Sequence, residues 1–422
     1  MANEQTQEIT QRHDAFMTLN YPRYPVAMER GQGCFLWDQE GNHYLDLFCG
    51  FGAGLLGHAH PELVATIKEQ ADKLWHAGNL FHSEPQTKLA EAISRLGFDG
   101  RSFFCHSGAD ANEAAIKLAR LYGHANPSPQ GNSRFQIVTA LNSFHGRTMG
   151  TMVATAQPKV RDKFDPFLPG FVHIPFNDAD AAEQAIGSET AAIMVEPIQG
   201  EGGVVLADDD YLPLLRRICD EHDVLLIMDE VWTGCGRTGK YFAYQHWDIQ
   251  PDIMTLAKGV GGGLPVGVMC AKPEVATLYD HKVHGGVAHA TTLGGNCIAM
   301  AVAAKIFEIL ERDNVVDQVA ALGRSMMDRL NLFAKKCPIV TDVRGKGLFV
   351  GVEVDPDAEG AWFDQPSQIV QRCMDGGVLI NVTRDRVLRL APPLIISLPE
   401  MDAGIEVLER AIQGQAIRSS GL

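Results

Sequence analysis

The chain has 422 residues, 45% of them hydrophobic and 21% charged, with a net charge of −16. That length and balance suit a globular protein with one large core and a smaller domain. The acidic excess argues against nucleic acid or an anionic membrane as a general partner. There are nine cysteines, none in a C-x-x-C pair, which argues against a disulfide framework and a structural zinc site.

The opening "MANEQTQEITQRHD" is polar, without the apolar core of a signal peptide. The chain contains no run of about 18 apolar residues, so no membrane span and a reducing cytoplasm are expected. The first thirty residues read as a polar arm. "GCFLWDQEGNHYLDL" (33–47) alternates apolar and polar positions around D-Q-E-G-N and predicts a hairpin. "HPELVATIKEQADKL" (60–74) has helical spacing, with Pro61 in its first turn.

From about residue 100 the rhythm is strand then helix. "RSFFCH" (101–106) predicts a strand and "DANEAAIKLARLYG" (110–123) a helix ending at Gly123. "NPSPQGNS" (126–133) is a surface loop. "FQIVTAL" (135–141), "AAIMVEP" (191–197) and "DVLLIMDE" (223–230) suit strands covered on both faces, and "DYLPLLRRICDEHD" (210–223) is a helix between two of them. This alternation means α/β with a mostly parallel sheet. A long helical stretch, "IAMAVAAKIFEILERD", comes after about residue 298. "VRGKGLFVGVEV" (343–354) and "GVLINVTRDRVLRLAPPLIIS" (377–397) then predict a second, smaller α+β domain.

The stretch "IMDEVWTGCGRTGKY" (227–241) satisfies G-x-G-x-x-G and most of G-x-x-x-x-G-K-[ST]. A dinucleotide fingerprint opens a helix, and "KYFAYQHWDIQPD" lacks helical periodicity. A P-loop needs Ser or Thr after its lysine, and position 241 is Tyr. The glycines therefore read as shaping a tight loop. The informative residue is Asp229, which ends an apolar run and should sit at the carboxyl end of a buried strand, where open α/β sheets place ligands. A carboxylate there needs a positive partner.

Lys258 follows in "TLAKGVGGGLPVG". It is either a surface lysine before a flexible loop or a reactive one. With Asp229 it suggests pyridoxal 5′-phosphate (PLP), which needs a lysine for its Schiff base and an acid against its pyridine nitrogen. A phosphate site is available in "HSGADANEAAIK" (106–117), where Ser107, Gly108 and Ala109 lie between a strand and a helix start. "SFHGRT" (143–148) offers Phe144 for ring stacking and Arg147 for a carboxylate. A capped helix start, a core Phe and a surface Arg are the structural alternatives.

These pieces, in this order, resemble the class III aminotransferases, PLP-dependent enzymes of fold type I. The resemblance runs from about Tyr21 to about Ala411, on "SGADANEAAIKLAR", "FHGRT", "EPIQGEGGV", "DEVWTGCGRTG", "AKGVGGGLPVG", "TTLGGN" and "LRLAPPLIIS". It implies a large PLP-binding domain (61–305), an N-terminal segment (1–60) contributing to the small domain, and a C-terminal small domain (306–422). It also implies that Lys258 anchors the cofactor and shuttles a proton, and that Asp229 pairs with the pyridine nitrogen. Val231 and Phe144 would pack on opposite faces of the ring. Ser107, Gly108 and Ala109 would hold the phosphate, with Thr292 reaching the phosphate of the neighbouring subunit of a homodimer. Arg147 would bind the substrate α-carboxylate. Glu201 and Arg389 would form a switch: Glu201 masks Arg389 for one substrate, and Arg389 is freed to bind the distal carboxylate of glutamate or 2-oxoglutarate for the other.

Within the family the chain is most similar to acetylornithine aminotransferases. That implies transfer of an ω-amino group from N-acetylornithine to 2-oxoglutarate. Enzymes for ornithine, succinyldiaminopimelate, 4-aminobutyrate and other ω-amines share most of these motifs, and an aminomutase of the same fold is a further alternative. "FCGFGAGLLGH" (48–58) departs from the acetylornithine pattern. So does Trp232, where many members have Gln: it either donates its indole N–H from a shifted pose or narrows the pocket. His58 and His60, and His281, His284 and His289, lack the acidic or Cys partners of a metal site, so no metal is expected. His145 reads as an orienting side chain.

Overall fold

The computed structural model describes residues 4–417. Residues 1–3 and 418–422, which belong to the expected terminal segments, lie outside the described residues. Charge-free runs such as "TAAIMV" at Thr190–Val195 can be strands only where both faces of their sheet are covered. Every residue of Thr190–Val195, Leu225–Asp229 and Gly267–Ala271 is buried. The period-two alternation divides their side chains between two cores. Leu226 and Met228 join one core, and Leu225 and Ile227 join the other.

These strands belong to a seven-stranded sheet. Its spatial order is Arg101–Cys105, Gly267–Ala271, Ile253–Leu256, Leu225–Asp229, Thr190–Val195, Gln136–Ala140, Phe171–Ile174. All pairings are parallel except those of Gly267–Ala271, which is antiparallel to both neighbours. One reversed strand leaves the other six running the same way. Their carboxyl ends therefore share one edge, and the residues just beyond them meet there.

The predicted hairpin forms from Phe35–Asp38 and His43–Asp46. Its turn is closed by Asp38, whose Oδ1 accepts the N–H groups of Glu40 and Asn42, both at 2.9 Å. The polar arm carries a helix, Glu4–Phe16. Val378–Leu379, far along the chain, pairs in parallel with His43–Asp46. A separate antiparallel sheet joins Val340–Lys346, Phe349–Val354, Val387–Leu390 and Asn381–Thr383. It delivers Arg389 opposite Gly351.

Both ends of the helix predicted at 110–123 differ from the expectation. The helix begins at Gly108 and runs past Gly123 to Ala125. Gly123 is there for space: a Cβ would stand 2.1 Å from the carbonyl oxygen of Arg134. The glycine-rich loop after Asp229 is buried throughout 232–239. Gly236 and Gly239 take positive φ, and Gly239 donates to the Gly236 carbonyl at 3.0 Å. A Cβ on Gly239 would lie 2.9 Å from Ala320 Cβ, and one on Gly234 2.7 Å from Leu256 Cδ2. The glycines permit tight packing between strand and helix, as a loop-shaping role requires.

Candidate active site

At or just past the carboxyl ends of five parallel strands stand Ser107, Phe144, Glu196, Asp229 and Lys258. They surround one cavity of about 330 Å³, with Gly108, Ala109, Arg147, Val231 and Trp232 also in its wall. The sheet thus brings together the residues expected to hold the cofactor, with one exception. Thr292 is exposed and lies outside this chain's own cavity.

Asp229 is 3% exposed and held from three directions. Its Oδ2 accepts from Asn112 Nδ2 and is bonded to His145 Nδ1, each at 2.8 Å. Its Oδ1 accepts the Val231 N–H at 3.0 Å. Asn112 in turn accepts from Thr255 Oγ1 at 2.6 Å and donates to the His145 carbonyl at 2.7 Å. A carboxylate accepts at about four lone-pair positions, so Asp229 keeps capacity for a further donor. Asn112 lies within "SGADANEAAIKLAR", and the sequence pattern gives it no role. The available signal was an amide set among alanines on a buried helix face, where a polar group must have a partner. Glu196 was also missed. Burial, and then the neighbouring Asp229 charge, push its carboxyl well above the ordinary range.

Lys258 opens a 3-10 turn, Lys258–Gly261, with a φ of +48°. This left-handed backbone is strained for a residue with a Cβ. It follows strand Ile253–Leu256, so the lysine leaves the sheet beside Asp229's strand. Among the described residues Lys258 forms no ion pair. Burial lowers its amine to about 7, with Glu201 opposing this and Arg389 adding to it. A lysine with that value holds an appreciable neutral fraction at physiological pH, as a nucleophile or base requires.

The other end of the cavity is a helix start. Ser107 caps Gly108–Ala125, its Oγ accepting the Asp110 N–H at 3.1 Å. The N–H groups of Gly108 and Ala109 have no carbonyl within the helix to bond, and the helix dipole favours an anion beside them. A Cβ at Gly108 would come to 3.0 Å from Val231 Cγ1, so glycine keeps this floor open.

Arg147 is exposed at the rim, its guanidinium 5.4 Å from the Phe144 ring centroid. Arg389 and Glu201 meet, with Nη1 2.8 Å from Oε1. Arg389 also donates to the Gly200 carbonyl at 3.1 Å and to Asn381 Oδ1 at 2.8 Å. Burial pushes the Glu201 carboxyl up, but Arg389, followed by Lys258 and Trp232, brings it below its ordinary value. Neither residue lines the cavity. Trp232 does, and it touches both sides: Lys258 Nζ is 4.1 Å and the Arg389 guanidinium 4.7 Å from its ring.

The donor set fits PLP. Asp229 has spare acceptor capacity for a ring nitrogen, Lys258 has a largely uncommitted amine, and two free N–H groups at a helix start suit a phosphate.

The chain matches the family described as aminotransferase class-III over residues 16–412. It is 44% identical to an acetylornithine aminotransferase from Caldanaerobacter subterraneus, over 92% of this chain and 95% of that protein. Among solved structures it resembles an aminotransferase from Bacillus anthracis. There the TM-score is 0.91 at 31% identity, over 98% of this chain and 100% of that one. It also resembles the ornithine aminotransferase of Toxoplasma gondii, in which PLP partially occupies the active site. There the TM-score is 0.89 at 30% identity, over 97% and 94% of the two chains.

Proposed function

This chain belongs to the PLP-dependent class III aminotransferases, and we propose that it moves the ω-amino group of N-acetylornithine to 2-oxoglutarate. The products are a semialdehyde and glutamate. The observation that carries the site assignment is the lining of one cavity by Asp229 and by Lys258, whose amine is lowered to about 7.

When bound, the cofactor supplies an electron sink conjugated to the substrate carbon. Lys258 would anchor it through Nζ, and as a free amine that nitrogen would take and hold the proton of the carbon bearing the transferred nitrogen. Asp229, fixed by Asn112 and His145, would pair with the ring nitrogen and favour its protonated form. Val231 and Phe144 confine the ring, and Ser107, Gly108 and Ala109 hold the phosphate. Arg147 grips the substrate α-carboxylate. Glu201 covers Arg389 while the amine donor is bound and yields it to the distal carboxylate of 2-oxoglutarate.

A homodimer is part of this proposal, with Thr292 of the partner subunit completing the phosphate site. An exposed apolar group supports it: Trp75, Leu80, Phe81 and Leu293 lie open, Leu80 at 95%. Asn79 Nδ2, donating to the Gly294 carbonyl at 2.9 Å, ties their segments to the Thr292 loop. Among the described residues no helix is long and apolar enough to cross a membrane. Nine buried, unpaired cysteines support a reducing cytoplasm, where the reaction would serve arginine biosynthesis.

The test is glutamate formation from N-acetylornithine and 2-oxoglutarate by the wild type and by Lys258→Ala. Turnover by the wild type alone supports the proposal. Unchanged turnover in the variant removes Lys258 from its role. Turnover with another ω-amine but none with N-acetylornithine removes the donor.

A further inference from the structure

The Trp232 indole contacts both Lys258 and Arg389, and its use is open. It is 7% exposed, and among the described residues its Nε1–H has no hydrogen-bond partner. A buried donor without a partner is costly, so native proteins rarely leave one idle.

The indole's orientation is fixed. Phe349 stacks on it at 4.9 Å with an 11° interplanar angle. A Cβ at Gly52 would stand 2.4 Å from Cζ3, and one at Gly200 2.8 Å from Cδ1. Cδ1 is bonded to Nε1, so the N–H edge faces the Gly200–Glu201 segment. Arg389 engages Oε1 of Glu201 from the other side at 2.8 Å. The indole N–H falls short of a hydrogen bond here, yet it is near enough to help hold the Glu201 carboxyl down.

We infer that Trp232 is a positioning residue for the Glu201–Arg389 pair: when a substrate carboxylate takes Arg389, the released Glu201 carboxylate is received by the indole N–H. This rests on the proposed reading of Glu201 and Arg389 as a switch. The physical need is plain. A half-buried carboxylate that loses its guanidinium must find another donor, and the indole offers one with no acceptor of its own to satisfy. The inference also accounts for the chain's departure from Gln at this position.

Trp232→Phe keeps a stacking ring and removes the N–H. It is expected to lower kcat/KM for 2-oxoglutarate about tenfold more than for the amine donor, as loss of a hydrogen bond to a charged group would. In a Glu201→Ala background that selectivity should vanish. Equal loss for both substrates, or selectivity that persists without Glu201, overturns the inference. Arg389→Ala separates the two layers. If it fails to discriminate against 2-oxoglutarate, the switch itself falls. If it discriminates and Trp232→Phe does not, only the part assigned to Trp232 falls. Should Trp232→Phe fold poorly, the wild type labelled with ¹⁵N-indole tryptophan gives an independent reading. One of the five indole N–H resonances should move downfield on adding glutarate, and should not move in Glu201→Ala. No movement in the wild type overturns the inference.

Discussion

Replacing Lys258 with Met tests the electrostatics of the site without any substrate. Methionine keeps the length of the side chain and an atom able to contact the Trp232 ring, but it cannot be protonated. In the folded chain without cofactor the Lys258 amine is lowered from 10.5 to about 7. Below pH 7 the lysine is charged in both folded and unfolded chains, and its burial cost is fully present. Between pH 7 and 10.5 the unfolded chain binds the proton and the folded chain does not, so stability rises with pH across that window. At about 1.4 kcal/mol per unit, the protonation cost at pH 7 is on the order of 4 kcal/mol, falling to ~2 kcal/mol by pH 9. Packing differences between Lys and Met do not titrate, so the pH slope of the difference isolates the charge. The assay is urea unfolding of cofactor-free wild type and Lys258→Met at pH 7, 8 and 9. The variant should be the more stable at pH 7, with an advantage smaller by about 2 kcal/mol at pH 9. A difference that stays constant across these pH values would refute the reasoning.

Three further outcomes follow from the same geometry. Arg389→Ala should weaken 2-oxoglutarate far more than the amine donor, by at least about tenfold in kcat/KM, since the pair lost is charge-assisted; equal losses would remove Arg389 from selection. Gly108→Ala places a Cβ 3.0 Å from Val231 Cγ1 and should loosen cofactor retention in dialysis, whereas unchanged retention would show that the floor can yield. Thr292→Val should also loosen cofactor retention, although Thr292 does not line its own chain's cavity; a variant that retains PLP as the wild type does contradicts a phosphate contact across a dimer.

The parts of the site legible in the sequence are those set by local pattern and by sheet physics. An apolar run ending in Asp229 predicts a carboxylate at the carboxyl end of a buried strand, and that is where it lies. The strand Ile253–Leu256 that brings Lys258 to the same edge was not predicted. What was not legible depends on residues distant in the chain. Asn112 meets Asp229 across 117 positions, so neither residue announces the other. Gly123 reads as a helix stop because glycine favours ends, but the Arg134 carbonyl, met only after the chain folds back, is what requires it. The two open readings of Trp232 turn on Gly52, Gly200 and Phe349, three separate segments that fix the ring. The high carboxyl of Glu196 comes from full burial beside Asp229, and "EPIQ" carries no local sign of that.

The visible absorption spectrum of the PLP-loaded protein, recorded before and after adding N-acetylornithine with no keto acid present, tests the central claim most directly. The band of lysine-bound cofactor should give way to that of its amine form, and 2-oxoglutarate should restore it. A band that persists unchanged through N-acetylornithine addition would contradict the proposed donor.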